Sequence, residues 1–153
     1  MIKKIALIVV MSVLLASCAS VPMASKEESS KAKEFNLPSD DHAGFYIYRK
    51  KTGVGAALKK DVWIDEKCIG ETAPGVFFFE EVAGNKDITV STESEFSPNN
   101  LVINAENGKN YFIEQYIKMG LFVGGANLQQ VNEDEGKKEI QKIEMATKGS
   151  CSK

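Results

Sequence analysis

The chain has 153 residues, 43% hydrophobic and 26% charged, which is one domain's worth of ordinary globular composition. That excludes collagen-like, wholly disordered and multi-span membrane classes, and a large multidomain enzyme. The formal charge is −2, from 19 basic and 21 acidic side chains, and a surface without a basic excess argues against nucleic acid as a partner.

Lys3 and Lys4 precede an apolar run from Ile5 to Leu15, broken only by Ser12, and small residues follow. This is the layout of a secretory signal. The run is about 11 residues, well short of the roughly 20 that span a bilayer, so residues 1–17 are expected to be a cleaved export signal. Its removal leaves 17 basic against 21 acidic residues, a charge of −4. The segment Leu15-Ala16-Ser17-Cys18 resembles the lipobox of bacterial lipoproteins in every position. In such proteins the cysteine thiol takes a diacylglyceryl group, the signal is cut before it, and the new amino terminus is acylated. The resemblance implies that Cys18 is a lipid attachment point and the membrane the first partner. Three acyl chains, at about 0.8 kcal/mol per buried methylene, hold far more firmly than a single myristoyl chain. The alternative is an ordinary signal whose cleavage leaves a chance cysteine. Ala19 and Ser20 carry no aspartate retention signal, which by resemblance to Gram-negative lipoproteins implies the outer membrane, facing the periplasm.

Residues 19–42 hold five serines, eight charged residues and two prolines. With Cys18 they are expected to form a flexible tether, residues 18–42, with a reach on the order of 25–30 Å. Residues 26–33 could form a transient helix, but its apolar face is almost absent. From Ala43 onward, short apolar segments separated by Gly, Pro and Asn turns recur as in an all-β domain, giving an expected antiparallel β-sandwich of about seven strands over residues 43–147. The first strand covers 44–49, with Phe45 and Ile47 alternating with Tyr46 and Tyr48. Residues 61–65 and 68–71 form a hairpin around Asp65, Glu66 and Lys67. The run Phe77-Phe78-Phe79 within 75–82 predicts a strand covered on both faces. Ile88, Val90 and Thr92, then Leu101 and Ile103, alternate with polar residues and predict two strands with one wet face. The longest strand covers 110–118, and another lies around 127–131. Asn132 with Glu135 three residues later predicts a helix start, the helix running over about 133–146 on the surface. Residues 148–153 are expected to be a disordered tail.

Four segments resemble the bacterial lipoprotein family called domain of unknown function 2846, similar in look to the PEGA β-domains. They are Phe45-Tyr46-Ile47-Tyr48-Arg49, Val62-Trp63-Ile64-Asp65 with Ile69-Gly70, Ala83-Gly84 before Ile88-Thr89-Val90, and Gly108-Lys109-Asn110-Tyr111-Phe112. The last is followed by Lys118-Met119-Gly120 and Asp134-Glu135-Gly136. Ala83 to Lys86 departs from the family's usual Pro-Gly-Lys-His, so any role of that proline and histidine is absent. The resemblance implies a small β-sandwich lipoprotein without an established biochemical activity.

Motifs for chemistry are sparse. His42 is the one histidine, at the tether boundary, and without a second one a Ser or Cys nucleophile has no evident activating partner. Gly53 and Gly55 lack the Gly-Lys-Ser/Thr of a phosphate loop. The acidic segment 132–136 lacks the spacing of a calcium loop, so neither metal nor cofactor is expected. Glu80, Glu81, Glu93 and Glu95 read as solvated strand ends. Tyr46, Tyr48 and Trp63 could share a sheet face and stack on a carbohydrate, or serve only for packing. Cys68 and Cys151 could pair in an oxidising periplasm, or Cys68 could be buried as a small apolar residue. Met119, Leu121, Phe122 and Val123 sit between glycines after the long strand. They either close one end of the sandwich or form an exposed patch for docking a protein or the membrane surface. The expected function is a non-enzymatic, lipid-anchored envelope module for structure or interaction, with a peptidoglycan or carbohydrate binder as the alternative.

Overall fold

A computed structural model describes residues 18–152; the expected signal, residues 1–17, lies outside them. The elements in chain order are α1 (Lys26–Ala32), β1 (His42–Arg49), β2 (Lys60–Ile64), β3 (Lys67–Thr72), β4 (Val76–Ala83) and β5 (Lys86–Thr92). They continue with β6 (Asn99–Ala105), β7 (Asn110–Met119), β8 (Gly124–Val131), α2 (Glu133–Ile140) and β9 (Glu144–Met145). Two sheets face each other, one ordered β8-β7-β1-β4-β9 and the other β3-β2-β5-β6. The mainly β sandwich holds, with nine strands among the described residues where about seven were expected. The pairing is not wholly antiparallel: β1 runs parallel to β7, and β4 parallel to β9.

Period-two alternation explains the inner core. Phe45 and Ile47 of β1 and Phe78 of β4 meet Val62, Ile64, Ile69, Ile88, Val90 and Ile103 of the other sheet. Each such fully buried side chain contributes about 1.5–3 kcal/mol. The β2–β3 hairpin closes through Asp65 and Glu66, both with positive φ (45° and 66°). The Asp65 carboxylate accepts from the Thr89 amide at 2.9 Å, which ties the turn to β5. Across the layers, Gln115 of β7 hydrogen-bonds Thr72 of β3 and donates to Thr92 of β5 at 2.8 Å. The amide and both hydroxyls are fully buried, so the network fixes how the sheets face one another.

The other face of β1 is also dry, and this overturns the flexible tether. Ser25 caps α1 by accepting from the Glu28 amide while Glu28 accepts from the Ser25 amide, a capping box. Ala32 and Phe35 then pack with Tyr46, Tyr48, Phe77 and Phe112. Phe35 takes φ 52°, an unfavourable conformation for a bulky residue, which sets its ring 5.3 Å from that of Tyr46. Asn110 donates to the carbonyls of Phe35 and Asn36 and holds the turn.

Asn132 caps α2 by accepting from the Glu135 amide at 2.9 Å, as expected, but the helix ends at Ile140 rather than near 146. The following residues pair with β4 instead: the Ala146 amide donates to the Phe77 carbonyl at 2.9 Å. Gly136 explains an otherwise costly glycine inside a helix, because any Cβ there would collide with the Phe112 ring. The expected loose tail is fastened too. Cys68 and Cys151 form a disulfide, the Gly149 amide donates to the Ile69 carbonyl at 2.9 Å, and Ser152 donates to the buried Asp61 carboxylate.

Candidate functional site

The aromatic platform does not exist as expected. Tyr46 and Tyr48 are 1% and 0% exposed, roofed by α1 and α2, and Trp63 stands on the outer face of the opposite sheet. The Tyr46 hydroxyl donates to the Ala32 carbonyl at 2.9 Å, and its ring stacks on Phe79 and Phe112 at 4.5 and 5.1 Å. Burial, then the charge of Glu81, pushes the Tyr46 phenol far up. Burial, then nearby carboxylates led by Glu114, does the same for Tyr48. Both phenols stay neutral packing groups. Trp63 is half-buried in a shallow groove with Thr89, Ser91, Pro98 and Asn100.

A second groove, about 520 Å³, lies between α1 and the β1–β4 face and is lined by Ala24, Glu28, Leu37, Phe79 and Glu81. Its carboxylates hold structure: Glu28 belongs to the α1 cap and Glu81 accepts from the Ser39 hydroxyl at 2.7 Å. The other strand-end acids are engaged as well. Glu80 pairs with Lys67 at 3.0 Å and also with Lys148, and Glu93 lies 3.7 Å from Lys60. For Glu80, burial raises the carboxyl pKa, but the two lysine hydrogen bonds and charges outweigh it and hold it below 4.5. His42 is fixed by its main chain, donating to the Ser39 carbonyl and accepting from the Gly108 amide, each at 2.8 Å. Among the described residues no group of three or more His, Cys, Asp or Glu could hold a metal ion. No helix among them is long and apolar enough to cross a membrane.

The apolar segment after β7 is the most distinctive surface. Met119, Leu121, Phe122 and Val123 are 80%, 82%, 84% and 57% exposed, so they do not close the sandwich. The reason lies in Glu95, whose carboxylate accepts from the amides of Leu121 and Phe122 at 2.7 and 2.6 Å. With its donors satisfied, the turn stands out from the sheet and its side chains project. Sequence reading named these residues but had no signal for the Glu95 clasp, which joins positions 26 and 27 residues apart.

Cys18 is exposed and free. The next residue is already docked, since the Ala19 amide donates to the Ala56 carbonyl at 2.8 Å. Arg49, buried and driven below its usual pKa by that burial, donates to the carbonyls of Leu58 and Gly55 at 2.7 and 2.6 Å. It thereby pins the loop that receives Ala19.

Comparison with known proteins agrees with the strand-and-turn pattern. A protein from Haemophilus influenzae, described as uncharacterized, is 55% identical over 139 residues, covering 91% of this chain and 82% of that protein. No solved structure matches. The family described as a protein of unknown function, DUF2846, matches residues 39–126, from the approach to β1 into β8, and the chain belongs to that family.

Proposed function

We propose that the chain is a lipid-anchored module of a bacterial cell envelope, without catalytic chemistry of its own, that works by tethering and docking. One observation carries this: of three cysteines, two are joined to each other and the third, Cys18, is free, exposed and placed directly after Leu15-Ala16-Ser17. The disulfide favours an oxidising compartment, and the free thiol is the one the lipobox resemblance marks for acylation. The outer membrane, facing the periplasm, is the proposed address. The test is the intact mass of the purified protein together with fractionation of cells. Acyl mass on a chain beginning at Cys18, and loss of membrane association in Cys18→Ala, are expected; an unmodified Cys18 defeats the reading.

Carbohydrate or peptidoglycan capture is a second reading, and it keeps only Trp63, flanked by the small polar side chains of Thr89, Ser91 and Asn100. Trp63 is the only tryptophan, so a titration with peptidoglycan fragments that leaves its fluorescence unchanged removes this reading.

A further inference from the structure

The molecule has one greasy end. β7 pairs with β1 from Gly44–Asn110 to Tyr48–Glu114, so the last residues of β7 and the turn beyond them project past the Arg49 end of β1. The loop after Arg49 lies against them: a Cβ on Gly55 would come within 2.5 Å of Ile117, and one on Gly124 within 2.8 Å of Leu58. The β5–β6 connection joins the same end through the Glu95 clasp. Val54, Phe96, Met119, Leu121, Phe122 and Val123 therefore sit together, and they are six of the nine exposed large apolar side chains among the described residues. Lys51 and Lys118 flank them, both exposed and outside every ion pair among the described residues.

Cys18 leaves the fold at this end as well, because Ala19 is bonded to Ala56 within that loop. No tether intervenes. A residue spans at most about 3.6 Å, so acyl chains on Cys18 bring the bilayer to the surface from which these side chains project. We propose that the β7–β8 turn, with Val54 and Phe96 beside it, rests in the interfacial layer of the same bilayer that holds the acylated Cys18. This deepens the anchor reading and rests on it. The chemistry suits a membrane interface: aromatic and aliphatic side chains enter the acyl boundary, unpaired lysines meet anionic headgroups, and the Glu95 clasp satisfies two turn amides that would otherwise lose water there. The anchor and the turn together fix the domain's orientation, with the Leu37 end pointing away.

The test uses the full-length acylated protein in vesicles of phosphatidylethanolamine and phosphatidylglycerol, with and without brominated acyl chains. A Trp63→Phe background carries one reporter, Phe122→Trp at the turn or Leu37→Trp at the opposite end, and each variant's melting temperature is checked first. The expected result is a blue shift and strong loss of emission in brominated vesicles for Phe122→Trp, and neither for Leu37→Trp. Acylated protein that floats with vesicles while the Phe122→Trp emission stays unquenched overturns the inference and leaves the anchor reading intact. An unquenched turn that photo-crosslinks to a protein in cells overturns it in favour of a protein partner. Protein whose mass shows no acyl groups removes the anchor reading, and the inference with it.

Discussion

The two faces of β1, the central strand of the β8-β7-β1-β4-β9 sheet, are equally dry but are covered in different ways. The inner face meets another sheet, and its core is built from strands whose alternation advertises burial. The outer face is roofed by a seven-residue helix, a strained turn at Phe35 and an eight-residue helix containing a glycine. The roof adds a few apolar side chains, Ala32, Phe35, Ile140 and Ile143, while α1 itself buries only Ser29 and Ala32. The sheet supplies most of the apolar surface itself, as Tyr46, Tyr48, Phe77 and Phe112. A cover thus needs to be well shaped and well capped more than it needs to be greasy.

The contrast can be broken most directly by truncation. Phe78→Ala in the inner core should cost about 3–5 kcal/mol, and Ile140→Ala in the roof should fall near the low end of about 2–5 kcal/mol, because α2 can shift to fill the space. Equal losses, measured by denaturant unfolding, would show that the roof is as rigidly packed as the core. Removing the disulfide with Cys68→Ser and Cys151→Ser should cost roughly 2–5 kcal/mol, since it opens a long loop, with a separation of 83 residues. Reduction should lower the wild-type melting temperature to that of the double variant and leave the variant unchanged.

The roof alone is probed by Gly136→Ala. Helix propensity favours alanine by about 1 kcal/mol, yet the collision with Phe112 should make the variant less stable by about 1–3 kcal/mol. A stabilised variant would mean that α2 does not press on the ring. The smallest expected effect is on acid stability. Glu80 is held below 4.5 by Lys148 and Lys67. Glu144 is also lowered, by hydrogen bonds from Ser29 and then Lys33 that outweigh burial. A carboxyl depressed on folding stabilises above its unfolded pKa, and that stability is lost as pH falls through the folded value. Wild-type melting temperature should therefore decline below about pH 4.5, and Glu80→Gln should flatten that decline by releasing the Lys148 tail. An unchanged acid limb would show that Glu80 contributes no linkage.

The same division explains what could be read from the sequence. Strands came through clearly because Phe45-Tyr46-Ile47-Tyr48 and Ile88-Thr89-Val90 encode their faces locally, and the Asn132 cap is local as well. Tyr46 and Tyr48 misled because alternation says that two faces differ, not what lies over the second one. Residues 26–33 read only as a transient helix, because the composition around them suggested a tether and their cover over the sheet depends on distant partners. β9 and the fastened tail depend on distant partners, Phe77, Ile69, Cys68 and Asp61, which no local window contains. For the surface, the glycines around Leu121 and Phe122 marked an unusual turn, while its exposure depends on Glu95 in another connection.

The docking of residues 19–24 has a mechanical consequence. If Cys18 carries the proposed anchor, drag on the domain enters the fold along that segment. The hydrogen bond from Ala19 to Ala56 meets the load first, and its rupture releases residues 19 and 20 as slack without disturbing either layer. Next come the main-chain bonds of Pro22 and Ala24 to Thr147 and Met145, whose strand is stapled to β3 a few residues later through Cys151. The leash thus yields one short step and then pulls against a covalently braced seam, so tension is spread across both sheets before it can peel α1 from the aromatic floor.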